Sequence, residues 1–211
     1  MKDNDLRAIA DFIYEAGILS KTPRSGLWFL GTGSQSVAEH ILRTVYVAYA
    51  LCHLAPRADR AKVIYMSLFH DFGEGRTSDL NYVHQRYGRL AESQAFKDIA
   101  KEIPFGEEMA AYFSEVDFFK KDDKDTTLEV KLVRDADQLE WLATLREEES
   151  KGNAKARAWQ KSAVQRLKTP QGKAIGKHLL STHPDSWWFD EKDKWFVSRD
   201  PKLARKKKRS K

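Results

Sequence analysis

Apolar residues recur along this chain at the three-to-four-residue spacing of helices, and no convincing two-residue alternation of strands interrupts them. The pattern predicts helices over residues 5–19, 36–54, 59–72, 90–103, 107–119, 126–151, 153–167 and 169–181. Pro56, Pro104, Pro170 and Pro184 fall near the edges of these segments, where a residue lacking an amide donor belongs. With 211 residues, 41% hydrophobic and 11% aromatic, the chain has enough apolar surface for one sizeable core. The expectation is all-α: one compact helical domain over residues 1–196, without internal repeats, then a basic tail over 197–211.

A strong local signal within that pattern is Ser36-Val37-Ala38-Glu39-His40. Ser36 and Glu39 form a capping box, in which the hydroxyl takes an orphan amide and the carboxylate reaches back to the Ser36 amide. This fixes a helix start and places His40 in the first turn. Ile41, Val45, Ala48, Tyr49 and Cys52 then recur at helical spacing and are predicted to face the core. A histidine turned the same way needs a polar partner.

The next helix carries an apolar run over residues 61–69 and ends in His70-Asp71-Phe72-Gly73-Glu74, with Thr77-Ser78-Asp79 following. Neighbours on a helix diverge by roughly 100°. His70 and Asp71 still reach one ion if it sits beyond the last turn, where Gly73 and Gly75 are expected to let the backbone unwind. Each piece alone reads as an ordinary core residue. Together they place two imidazoles and the carboxylates of Asp71, Glu74 and Asp79 near a buried helix end, where the acids repel unless a cation or raised pKa values relieve them. A divalent metal beside an activated water, and hence a hydrolase, is the expectation. A further ligand is sought in residues 128–142, an apolar helix with embedded acids. Asp135 lies near Leu132, Leu139 and Leu142, whereas Asp137 lies near Val130, Val133 and Trp141, so periodicity does not choose between them. An unpartnered buried carboxylate is costly, so at least one is expected to be a ligand.

The set His40, His70-Asp71 and Ala136-Asp137-Gln138-Leu139 resembles the HD-domain metal-dependent phosphohydrolases, an all-α helical bundle. With His-Asp-x-x-Glu-x-x-Thr-x-Asp between them, the motifs are similar to those of 5′-deoxynucleotidases, over roughly residues 10 to 190. The resemblance favours Asp137 over Asp135. It implies a single metal held by His40, His70, Asp71 and Asp137, a mixed nitrogen and oxygen set suited to Co²⁺, Mn²⁺, Zn²⁺, Ni²⁺ or Fe²⁺. It further implies Glu74 and Asp79 as an acid and base pair, Arg24 as the group orienting the phosphate, and Thr77, Asp79, Leu80, Asn81 and Tyr82 as substrate contacts. The aromatic that directly follows the arginine in some relatives is here displaced to Trp28. The activity implied is removal of phosphate from (deoxy)nucleoside 5′-monophosphates by a homodimer. Alarmone hydrolases carry His-Asp-x-x-Glu-Asp, whereas Gly75 follows Glu74 here. Dinuclear HD enzymes use further histidines, and His53, His84, His178 and His183 form no recognisable second set.

Other features add less. The single cysteine, Cys52, sits mid-helix on the apolar face and reads as core. One cysteine, no signal peptide and no apolar run approaching 18 residues point to the cytoplasm and away from a membrane. Glycine-rich nucleotide-binding loops are absent. Gly31 and Gly33 lie in a stretch that reads equally as a plain loop or a phosphate cradle. Residues 198–211 carry net +7 against +6 for the whole chain, which leaves the body at −1. That tail reads as solvated, so nucleic acid is not an expected partner; a nucleic-acid-binding protein with a structural metal is the reading from another class. His84 lies close enough to the motif to approach a substrate. Trp187, Trp188 and Phe189 with Trp195 and Phe196 read as a packing cluster.

Overall fold

The structure, a computed structural model, describes residues 2–116, 126–193, 196, 198 and 199. Its helices are α1 (Asp3–Ile18), α2 (Gly26–Leu30), α3 (Val37–Leu54), α4 (Arg60–Phe69), α5 (Glu74–Thr77), α6 (His84–Tyr87), α7 (Glu92–Glu102), α8 (Gly106–Val116), α9 (Leu128–Ser150), α10 (Ala154–Arg166) and α11 (Pro170–Ser181). Among the described residues there is no strand, only an isolated bridge between Pro23 and Ser36. The all-α expectation holds, and the longer helices fall close to their predicted places. The last three residues of the predicted 107–119 helix, Trp195 and most of the 197–211 tail lie outside the described residues.

Side-chain caps mark where five of these helices begin. Ser36 Oγ accepts from the Glu39 amide while Glu39 Oε2 accepts from the Ser36 amide at 2.6 Å, completing the predicted capping box. Asp59, Thr127, Asn153 and Thr169 cap α4, α9, α10 and α11 in the same way.

Helix α9 runs through the middle, packed against α3, α4, α10 and α11. Because neighbours surround it, Val130, Leu132, Val133, Ala136, Leu139, Leu142 and Leu145 are all buried. No single apolar stripe exists on such a helix, which explains why spacing alone left Asp135 and Asp137 equivalent. A second cluster joins Val37, Ile41 and Phe72 to the α7–α8 pair, where Phe96 stacks on Phe113 with centroids 4.0 Å apart.

Asp135 turns out to be architectural. Fully buried, it accepts from the Lys168 amide at 2.6 Å, from the Thr169 amide at 2.8 Å and from the Thr169 hydroxyl, fixing the start of α11 against α9. Asp135→Ala leaves two amide donors without their acceptor, and each buried orphan costs roughly 1–3 kcal/mol. A loss of about 3 kcal/mol in a denaturant titration is the expected outcome; a change below 1 kcal/mol would show that α11 does not depend on this anchor.

Three expectations are corrected. Tyr49 faces outward, under Arg60, while Thr44 and Leu51 take inward positions on α3. The predicted 59–72 helix stops at Phe69, and α2 and α6, each a turn or so long, are too short to leave a periodic signal. The backbone after His70 does not unwind through glycine: Gly73 is right-handed (φ −61°), and the left-handed residue of the segment is Ser78. Gly73 serves by its lack of a side chain, since a Cβ there would lie 3.1 Å from the Glu92 carbonyl oxygen.

Candidate active site

The elements converge at the His70–Gly73 turn. Helix α3 brings His40, the end of α4 brings His70 and Asp71, α5 brings Glu74, and α9 brings Asp137. His40 Nε2 lies 3.3 Å from His70 Nε2, 3.4 Å from Asp71 Oδ2 and 3.2 Å from Asp137 Oδ1. His70 Nε2 is also 3.3 Å from Asp71 Oδ2. Donors placed about 2.1 Å from one first-row ion stand about 3.0 Å apart in octahedral and about 3.4 Å apart in tetrahedral geometry. The observed spacings therefore suit one such ion, and the imidazole and carboxylate donors suit a transition metal better than Mg²⁺. His40, His70 and Asp137 are the one converging group of three ligating side chains among the described residues.

The other nitrogen of each ring is engaged behind the site. His70 Nδ1 is 2.8 Å from the Ser67 carbonyl oxygen, and His40 Nδ1 is 2.6 Å from Glu140 Oε2. A carbonyl only accepts, so the His70 ring donates from Nδ1 and presents a lone pair at Nε2.

Charge is concentrated here. Burial works against Arg24, yet Asp79, Asp71, Glu74 and Asp137 around it hold the guanidinium firmly ionised. Burial likewise opposes ionisation of Asp71, but His70, His40 and Arg24 bring its carboxyl well below the usual range. For Asp137, too, the His40 and His70 rings outweigh burial and lower the carboxyl. Glu74 goes the other way: burial, then Asp71 and Asp79, push it well above an ordinary carboxyl, against the pull of Arg24. Glu74 Oε2 is buried and has no hydrogen-bond partner among the described residues.

Arg24 sits before α2 and bonds Asp71 Oδ2 at 3.0 Å, with Asp79 Oδ1 3.9 Å away. Asp79 is anchored by Ser25, whose amide donates to Oδ2 at 2.6 Å and whose hydroxyl donates to the Asp79 carbonyl oxygen at 2.9 Å. Arg24, His70, Asp71, Glu74, Asp79 and Asp137 share the wall of one cleft.

Four of the expected substrate contacts fall elsewhere. Thr77, Leu80, Asn81 and Tyr82 do not line this cleft. The Thr77 hydroxyl donates back to the Gly73 carbonyl at 3.3 Å, and Asn81 Oδ1 accepts from the amides of Val83 and His84, so both shape the loop. Tyr82 is exposed beneath Arg86. Trp28, also exposed, lines a neighbouring hollow that shares Arg24 with the cleft, and its ring stands 6.1 Å from His84. The Gly31–Gly33 stretch is loop, and a Cβ on Gly33 would lie 2.9 Å from the Glu148 carboxyl carbon. A carboxylate at that place disfavours phosphate.

Sequence reasoning missed the far wall, Gln85, Glu92, Ser93 and Phe113, contributed by α6, α7 and α8. It also passed over Glu140, one helical turn after Asp137, whose partners lie far upstream in the chain.

Comparison with known proteins accords with this geometry. The HD domain family model matches residues 16–178. A conserved hypothetical protein of Pyrococcus furiosus is similar in structure at 26% identity, covering 82% of this chain and 99% of its own, with a TM-score of 0.66. A predicted metal-dependent phosphohydrolase of Magnetospirillum magnetotacticum (22% identity, 85% and 95% covered, TM-score 0.62) shares the fold. So does an HD-domain phosphohydrolase of Listeria innocua (19% identity, 94% and 96% covered, TM-score 0.59). No curated protein matches the chain. With residues 16–178 under the family model, and His40, His70 and Asp137 converging within that span, this chain belongs to the HD domain family.

Proposed function

We propose that this protein is a metal-dependent phosphohydrolase that removes phosphate from (deoxy)nucleoside 5′-monophosphates. The observation that carries the reading is the convergence of His40, His70 and Asp137, with Asp71 Oδ2 within 3.4 Å of both imidazoles, beside a cleft whose wall also holds a guanidinium and two further acids. A structural metal site has no need of the additional groups. The choice of a 5′-monophosphate rests on the motif resemblance to 5′-deoxynucleotidases.

His40, His70, Asp71 and Asp137 hold the ion in this reading. Bound there, a divalent metal supplies positive charge against the phosphate and lowers the pKa of a water. Arg24 offers its paired N–H groups to the phosphate oxygens. Glu74, whose carboxyl burial and acidic neighbours push upward, is the acid that gives a proton to the leaving 5′-oxygen in this reading. Asp79, held by Ser25, fixes the place of Arg24 and faces the same cleft as the complementary carboxylate. The reading includes a homodimer, with exposed apolar side chains such as Ile13, Tyr14 and Tyr46 available for an interface, and a cytoplasmic location. No helix of the described residues is long and apolar enough to cross a membrane.

Phosphate release from a panel of ribo- and deoxyribonucleoside 5′- and 3′-monophosphates tests the substrate. Release from the 5′-esters with the 3′-esters inert is expected; silence across the panel in metal-loaded protein would move the reading to another phosphoester. A charged hydrogen bond contributes about 1.5–3 kcal/mol, so Arg24→Ala should raise KM for the monophosphate on the order of 10- to 100-fold. An unchanged KM would place the phosphate elsewhere.

A further inference from the structure

Behind His40, on the side away from the cleft, lies a carboxylate that no step above uses. Glu140 is fully buried, and both of its oxygens accept hydrogen bonds. Oε2 meets His40 Nδ1 at 2.6 Å. Oε1 accepts from Gln35 Nε2 at 2.6 Å, from Arg43 Nε at 2.9 Å and from the Thr144 hydroxyl at 3.3 Å. Arg43 then continues outward to Glu147 at 2.6 Å and to the Thr144 hydroxyl. The partners come from the loop before α3, from α3 itself and from α9, so the carboxylate is clamped from several directions at once.

The geometry points to Glu140 as the positioning residue that sets His40 as a metal ligand. An ionised carboxylate has no hydrogen to give, so the contact at 2.6 Å requires the proton on His40 Nδ1. The lone pair for an ion is then left on Nε2, the nitrogen that faces His70, Asp71 and Asp137. Arg43 and Gln35 keep the carboxylate from turning: three donors on Oε1 leave Oε2 as the oxygen aimed at the ring. The acid thus fixes both the tautomer and the tilt of His40. It stands one turn beyond Asp137 on α9, so one helix carries a proposed ligand and the group that orders a second ligand from α3.

Glu140→Gln separates this role from simple packing. The amide is nearly isosteric, but it brings an NH₂ group into a ring of donors. With its oxygen toward Gln35 and Arg43, its NH₂ faces His40 and moves the ring proton to Nε2, against the ion. With its oxygen toward His40, the NH₂ collides with the donors of Arg43 and Gln35. Either way the ligand is less well presented, and loss of such an outer partner typically weakens metal affinity by 10–100-fold.

The inference rests on the proposed metal site, so the test reads metal binding itself. Mn²⁺ and Zn²⁺ dissociation constants are measured by competition with a chromophoric chelator for full-length wild type and Glu140→Gln, alongside the Tm of each metal-free protein. The expected result is dissociation constants raised about 10- to 100-fold in the variant. A lowered Tm with unchanged dissociation constants would make Glu140 a packing residue and overturn the inference. Failure of wild type to bind either ion would instead overturn the proposed function. If Glu140→Gln does not fold, Glu140→Asp, which keeps the charge but shortens the reach by one methylene, is expected to weaken metal binding in the same direction. Wild-type affinity in Glu140→Asp would overturn the inference.

Discussion

Glu74→Gln is expected to keep its metal and lose nearly all of its turnover. Glu74 contributes no atom to the close contacts around His40 Nε2, and the amide fills the same volume at the start of α5. What disappears is the ionisable proton. Its Oε2 is buried without a partner in the cleft, an arrangement costly for stability and suited to a group that meets its partner only when substrate arrives. General acid catalysis contributes on the order of 10²–10⁴-fold, and a fall in kcat of that size is the expected result. Metal content by elemental analysis should stay at the wild-type value. A variant that turns over at the wild-type rate would remove Glu74 from the mechanism.

Asp137→Ala is expected to lose both metal and activity. Its Oδ1 is 3.2 Å from His40 Nε2, whereas the neighbouring α9 acids bind elsewhere, Asp135 to the Lys168 and Thr169 amides and Glu140 to the other nitrogen of the His40 ring. Since disturbing an outer partner already costs about 10–100-fold in metal affinity, removing a direct donor should cost more than about 100-fold. Asp135 supplies the control two residues away. Its replacement should lower stability while leaving metal content unchanged, because its oxygens are committed to Lys168 and Thr169. If Asp137→Ala binds metal as wild type does, the donor set drawn here is wrong.

That pair also marks where sequence reasoning ran out. Both aspartates sit on a helix packed on nearly all sides, so each has apolar neighbours and neither is singled out by period. What separates them is a partner far along the chain: the 168–169 segment for one, His40 for the other. The resemblance distinguished them; spacing did not. Features with purely local causes were legible, notably the Ser36–Glu39 capping box that places His40 one turn into α3. Glu140 was hidden for the same reason as Asp135, since its partners, Gln35, His40 and Arg43, lie about a hundred residues upstream. The turn after His70 misled in another way. Glycine there suggested an unwound backbone, whereas Gly73 is right-handed and small because α7 lies against it.

The same distinction applies to the segment from Thr77 to Tyr82. Its motif carried the resemblance to 5′-deoxynucleotidases, yet Asp79 is its one expected contact on the cleft wall, while Thr77 and Asn81 spend their polar atoms on the loop that presents it. Contacts expected from motif position thus divide between residues that face a substrate and residues that hold such residues in place. The far wall from α6, α7 and α8 carries no motif signal, and under the proposed reading it is the place to look for base and sugar preference.

One ion at His40, His70, Asp71 and Asp137 is proposed to support phosphoester hydrolysis. Chelated full-length protein titrated with Mn²⁺ or Co²⁺, with bound ions per chain and phosphate release from a deoxynucleoside 5′-monophosphate followed together, tests it most directly. Release that is absent after chelation and rises in step with the first bound ion is the predicted result. Release that survives complete chelation, or that begins only after a second ion binds, would contradict it.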